Sequence, residues 1–181
     1  MGLLSLTSCK KSDDRSLYEQ YYSKLKVIKT PYKMWCGIES EQFAEANRDT
    51  MLERRLQMSK HQFYLVGRLY PDKSFITLLY GEPADYIMPV LHTFSKKGES
   101  LDILTVGGCC VAGPGYDATT TTYFGNDMVF SIIDSIRTNA VDSSYNAVPG
   151  TDSLTVTAVR YKLDENGRFH FIDSSTVTRA R

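Results

Sequence analysis

The chain has 181 residues, 42% apolar and 23% charged, which is ordinary globular usage: enough for one hydrophobic core and cramped for two domains. Its 21 basic residues balance 21 acidic ones, so no net field steers it toward nucleic acid or an anionic surface, and there is no basic stripe. Twelve tyrosines and eight phenylalanines, set among Val, Ile and Thr, incline the composition to β structure.

The first element is an apolar run, Leu3 to Ser8, that stops at Cys9 and passes straight into Lys10, Lys11, Ser12, Asp13 and Asp14. It is far short of the ~20 apolar residues that span a bilayer. It fits instead the end of a secretory signal, where an apolar region meets small residues at a cleavage point. Leu6-Thr7-Ser8-Cys9 resembles the lipobox of bacterial lipoproteins, and the charged residues after it resemble the tether of surface lipoproteins of Gram-negative gut anaerobes. The resemblance implies that residues 1–8 are the remnant of a lipoprotein signal peptide and that Cys9 carries the acyl (palmitate-type) anchor. Residues 9–16 then form a lipid-anchored tether, with the protein on the periplasmic or cell-surface side of the outer membrane.

The rest, 17–181, reads as one globular domain with a helical segment over 17–60 and a β-meander over 61–181. Asp13 and Asp14 are placed to cap a helix in which Leu17, Tyr21, Leu25 and Ile28 recur at helical spacing, up to Pro31. YKMWCG, Tyr32 to Gly37, is irregular and apolar, with Trp35 beside Cys36, and a buried plug or staple is expected. Ser40 precedes EQFAEANRDTMLERRLQ, an expected helix with Phe43, Asn47, Thr50 or Met51, Leu52 and Leu56 toward the core, and a Glu45–Arg48 pair.

From Gln62 eight runs rich in β-formers follow: FYLVGRLY, FITLLYGE, YIMPVLHTFS, SLDILTVGG, ATTTTYF, MVFSIIDSI, LTVTAVRYKL and RFHFIDSSTV. The separators are turn chemistry, and Asn166-Gly167 is the strongest hairpin signal. No separator can hold a crossover helix, so the strands should pair antiparallel, as a meander of about eight strands in a curled or barrel-like sheet. Pro89 marks an edge or bulge, and Cys109–Asp117 and Asn139–Asp152 read as loops. The stretch TFSKKGESLDILTVGG and the terminal YKLDENGRFHF resemble uncharacterised β-meander lipoproteins of the same anaerobes. That likeness implies a fold and an address and no reaction.

Chemistry-bearing residues are sparse. With Cys9 acylated, Cys36, Cys109 and Cys110 remain, and an oxidising compartment favours a bridge. Cys36 to one of the pair would close a loop of about 73 residues, which stabilises by ~4 kcal/mol in the loop-entropy model. A strained vicinal ring, unpaired buried thiols and a redox or metal role stay open. The loop's glycines match neither a dinucleotide fingerprint nor a P-loop, so Gly113, Tyr116 and Asp117 are read as a candidate binding loop. His61, His92 and His170 lack metal-ligand spacing, and Asp85, Asp102, Asp117 and Asp127 sit where turn geometry explains them.

Tyr64, Tyr70, Tyr80, Tyr86, Tyr116, Tyr123, Tyr145 and Tyr161 serve the core or, on one exposed face, a platform for sugar, peptide or lipid. The expectation is therefore a non-catalytic, lipid-anchored envelope protein, without cofactor or metal, that binds a partner protein or a small apolar or glycan ligand and has an undetermined oligomeric state. The competing class is an envelope hydrolase or thiol redox enzyme built on the Cys109–Asp117 loop.

Overall fold

The structure, a computed structural model, describes residues 16–36, 48–55, 64–83, 87–108 and 110–180. Ten strands form two antiparallel sheets, and no sheet closes into a barrel among the described residues. The smaller sheet is a meander of β2 (Tyr64–Leu69), β3 (Phe75–Pro83), β4 (Ile87–Ser95) and β5 (Ser100–Thr105). The larger runs β1 (Tyr32–Trp35), β7 (Tyr116–Phe124), β8 (Val129–Thr138), β9 (Ser153–Leu163) and β10 (Phe169–Ala180), with β6 (Val111–Gly113) also on β7.

All eight sequence-derived strands are present, but the expected continuous meander is corrected to two, broken between β5 and β7. The break has a local cause. The chain leaves the smaller sheet at Val106 and crosses to the larger through Gly107 and Gly108. A Cβ on Gly107 would lie 3.0 Å from Pro89 Cγ, and one on Gly108 would lie 3.1 Å from Thr120 Oγ1. Thr122 Oγ1 donates to the Val106 carbonyl at this crossing.

The smaller sheet is covered on both faces. Val66, Leu69, Phe75, Leu79 and Leu91 pack with Met34, Phe124, Phe130 and Leu163 of the larger sheet. The alternate residues Leu65, Leu78, Tyr80 and Val90 pack under two helices, α1 (Leu17–Lys24) and α2 (Thr50–Arg55), which contribute Tyr21, Tyr22, Leu25 and Leu52. Two-sided burial explains why FITLLY lacks the polar alternation of a half-exposed strand.

Ser16, rather than Asp13 or Asp14, which lie outside the described residues, caps α1. Its hydroxyl accepts from Glu19 N at 3.1 Å and donates to the Lys96 carbonyl at 2.5 Å. The helix ends at Lys24, well before Pro31, because the next residues find strand partners: Arg68 N donates to Lys26 O and Ile28 N donates to Arg68 O, both at 2.9 Å. Leu25 and Ile28 consequently serve different cores.

In α2, Leu52 is buried and Met51 is exposed. The expected partners Phe43, Glu45, Asn47 and Leu56 are either outside the described residues or, for Asn47, at their border and likewise not described. Arg48 instead grips the buried Glu53 with Nε and a terminal nitrogen at 2.7 and 2.8 Å, and Tyr21 Oη donates to the same carboxylate at 2.6 Å. The guanidinium holds the Glu53 carboxyl below its usual range, against the opposing effect of burial.

Turns staple the two sheets. The β4–β5 and β9–β10 turns share one design: Ser95 N donates to Glu99 O and Asp164 N to Arg168 O, with Gly98 (φ +90°) and Gly167 (φ +78°) at the left-handed position. Thr93 Oγ1 donates to Gly167 O at 2.6 Å and Phe169 N to Asp102 Oδ2 at 2.8 Å, tying the β9–β10 turn to the smaller sheet. Pro89 lies in a strand flanked on both sides along most of its length. However, β4 outruns β5 there, and the proline contributes only its carbonyl, which accepts from Val106 N. Beyond Thr120, Asp134 and Thr157 the larger sheet buries no residue fully, and its strands are half-buried or exposed.

Candidate binding face

The segment expected to be an irregular buried plug or staple is a strand, with the stapling Cys36 directly after it. Tyr32 to Trp35 pairs with Phe124 to Thr121 of β7. Period-two alternation then sends Met34 into the core at 4% exposure and Lys33 and Trp35 to the opposite face, where Trp35 is 59% exposed. The signal for this was present in the sequence: in an extended YKMW, tryptophan shares a face with lysine.

The disulfide fixes this presentation. Cys36 follows Trp35 with φ +53°, its N–H donates to Thr120 O at 2.8 Å, and its sulfur is bonded to Cys110 with a Cα separation of 4.9 Å. Of the pairings left open, the structure uses Cys36 with Cys110, 74 positions apart; Cys109 lies outside the described residues, as does Cys9. The bridge clamps the end of β1 to the crossing segment, so the tryptophan is exposed on a backbone held at both ends.

The strand registers place the neighbours of Trp35. One row across the outer face runs Trp35, Thr121, Ile133, Ala158, Ser175, and the next runs Lys33, Tyr123, Ser131, Arg160, Asp173. Tyr123 is 43% exposed, and the Lys33 ammonium sits 5.5 Å from its ring centroid, a contact that orients the ring. Arg160 and Asp173 form a two-point guanidinium–carboxylate pair, with Nε donating at 2.8 Å, and the guanidinium keeps the Asp173 carboxyl below its ordinary range. The result is a surface with two aromatic rings, hydroxyls and a fixed ion pair, and an apolar cavity at Leu154, Val156 and Val177 further along it.

On the inner face, the glycine crossing leaves a groove of about 270 Å³ lined by Thr105, Gly107, Gly108, Ile132, Asp134, Val159 and Tyr161. The lining carboxylate Asp134 accepts from Thr120 Oγ1 through Oδ1 at 2.7 Å. The expected binding loop is not in either place as a loop. Gly113 and Tyr116 are register partners flanking the two-residue Pro114-Gly115 turn, Asp117 pairs with Ala112 and Arg137 in the ladder, and nothing lies within 4 Å of a Cβ at Gly113.

The other candidates separate. His92 sits between Tyr80 Oη (3.2 Å from Nδ1) and Ser100 Oγ (2.8 Å from Nε2), and burial pushes it down to about 4. His170 pairs with Asp164, whose carboxyl is held down to about 2 mainly by the Arg168 backbone N–H and by His170. Asp102 and Asp127 accept backbone N–H groups. Among the described residues no cluster of His, Cys, Asp and Glu is arranged to hold a metal ion. Of the tyrosines, Tyr70 and Tyr80 are core, Tyr161 is half-buried, and Tyr64, Tyr116, Tyr123 and Tyr145 are exposed. His61, Asp85 and Tyr86 lie outside the described residues. No protein-family model, curated protein or solved structure matches this chain.

Proposed function

We propose that the chain is a lipid-anchored envelope protein, held to the outer membrane through Cys9, whose larger sheet presents a glycan-binding face centred on Trp35. The observation that carries the reading is the presentation of Trp35: a highly exposed indole immediately before a disulfide-bonded cysteine, on a strand paired to the sheet. Exposing an indole sacrifices burial energy of the order of 2–3 kcal/mol that a core position would supply. Rigid exposure of this kind suits a ligand that covers the ring, because little conformational freedom is then lost on binding.

The surroundings favour a sugar over a folded protein partner. Thr121, Ser131, Lys33 and the Arg160–Asp173 pair surround the two rings with polar groups, while Leu154, Val156 and Val177 of the same face line an apolar cavity of about 280 Å³ further along β9 and β10. A pyranose offers a C–H face to the indole and hydroxyls to those polar groups. The Cys36–Cys110 bridge supports an oxidising address outside the cytoplasm. For the enzymatic alternative the bridge removes Cys110 from thiol chemistry, and the β6–β7 hairpin occupies the place where its catalytic loop would be.

Trp35 is the only tryptophan of the chain, so its fluorescence reports on the face directly. Titration with soluble neutral and acidic oligosaccharides should shift the hydrated emission to the blue and shield it from iodide quenching. A spectrum unmoved by every member of the panel refutes the glycan reading.

A further inference from the structure

The larger sheet ends in β10, whose one edge pairs with β9 and whose other edge pairs with no strand among the described residues. From Phe171 to Ala180 every residue of β10 is exposed. At ~3.4 Å per residue, 172–180 presents roughly 30 Å of backbone donors and acceptors. The smaller sheet reaches only the start of this strand, through Asp102 and Phe169, so the remainder is clear of it.

Exposed edges are normally blunted by lysine, proline, bulges or short length. Here one bulge occurs, between Phe171 and Asp173. After it Ser174-Ser175-Thr176-Val177-Thr178 carries no charge and no proline, and Thr and Val favour strand.

We infer that β10 pairs with β10 of a second copy of this chain, antiparallel about a two-fold axis at Thr176. The charges select this occupant and this register. Asp173 and Arg179 are equidistant from Thr176 and lie on the same face, so the two-fold sets Asp173 opposite the copy's Arg179, and Arg179 opposite the copy's Asp173. Asp173 can accept this second cation while holding Arg160, because a carboxylate has about four acceptor positions. Displacing the axis by one or two residues breaks both cross-pairs.

The opposite face agrees. Thr157 pairs with Thr176 at 3.1 Å and Thr155 with Thr178 at 3.0 Å. The two-fold continues this hydroxyl ladder with Thr176 facing its own copy and Ser174 facing the copy's Thr178. Two five-strand paths then become one continuous sheet. Both Trp35 faces lie on the same side of it, which makes the assembly bivalent. The inference does not depend on the ligand reading.

The test uses the full chain with Cys9 and Cys109 replaced by serine, which leaves only the bridged cysteines. Sedimentation velocity at micromolar concentrations should show a dimer, and Arg179→Asp should raise its dissociation constant at least about tenfold. Thr176→Cys should oxidise to a covalent dimer, because facing Cα atoms in an antiparallel pair are ~4.5–5.5 Å apart. Ser174→Cys should not, because its own counterpart would be about 13 Å away along the strand. A monomer at every concentration overturns the inference, as does equal cross-linking at 174 and 176. Both cysteine positions are exposed, and unchanged melting of the two variants confirms that each is folded.

Discussion

Trp35 and Cys36 are consecutive residues with opposite assignments: the indole is 59% exposed on the outer face, while the cysteine turns at φ +53° and is bonded to Cys110. Strand alternation separates the two side chains, and the bridge stops that alternation from slipping. A covalent structural element thus determines where an aromatic ring is presented.

Trp35→Ala should weaken oligosaccharide binding at least tenfold and leave stability within about 0.5 kcal/mol, because the ring contributes little buried area. Tyr123→Ala should weaken binding by less, since Lys33 already covers part of its ring. Binding by isothermal titration together with thermal melting distinguishes this from a folding defect; parallel loss of both would assign Trp35 to the scaffold.

Reducing the bridge should act on both properties. Cys110→Ser should cost roughly 2–4 kcal/mol, the usual range for a disulfide closing a long loop. It should also increase quenching of Trp35 by acrylamide as the end of β1 loosens. Intact protein should be lighter than its fully reduced form by two hydrogens; equal masses would show that the thiols are unpaired.

The strands were legible from composition and turn residues, because short β-rich runs between Gly, Asn, Asp and Pro clusters have few other ways to fold. Their division into two sheets was not. It depends on Gly107 and Gly108 approaching Pro89 and Thr120, which are near only after both sheets exist. The helical spacing of Leu25 and Ile28 misled for a related reason: the edge of β2 at Arg68 offers the backbone better partners than another helical turn. For the candidate face, the lysine two residues before Trp35 was a readable signal, whereas the neighbours Thr121, Ser131 and Arg160 arrive through registers that a sequence does not print.

Arg48→Ala should destabilise by about 3 kcal/mol, the low end of the cost of leaving a buried carboxylate unpaired, because the arginine is partly exposed and water can enter. Tyr21→Phe removes one hydrogen bond to the same carboxylate and should cost about 1–2 kcal/mol. Chemical denaturation of both variants measures this. A neutral Arg48→Ala would mean that α2 does not depend on the clamp.

Acid should weaken the fold in a window set by His92. Its folded value, about 4, lies below the ordinary 6.5, because burial beside Tyr80 and Phe94 disfavours the cation and Asp102 only partly offsets this. The unfolded chain therefore takes up the proton first as pH falls. Stability is complete above about 6.5 and declines between 6.5 and 4. After discounting for partial exposure the loss is roughly 1–2 kcal/mol. Glu53 acts in a lower window, since a carboxyl held down by Arg48 gives up its contribution as pH falls from its ordinary 4.5 downward. Urea melts at pH 7.5, 6.0 and 5.2, above the carboxyl window, should thus show a falling midpoint in the native chain and a flat one in His92→Gln. An unchanged slope in the variant would assign the acid sensitivity to another group.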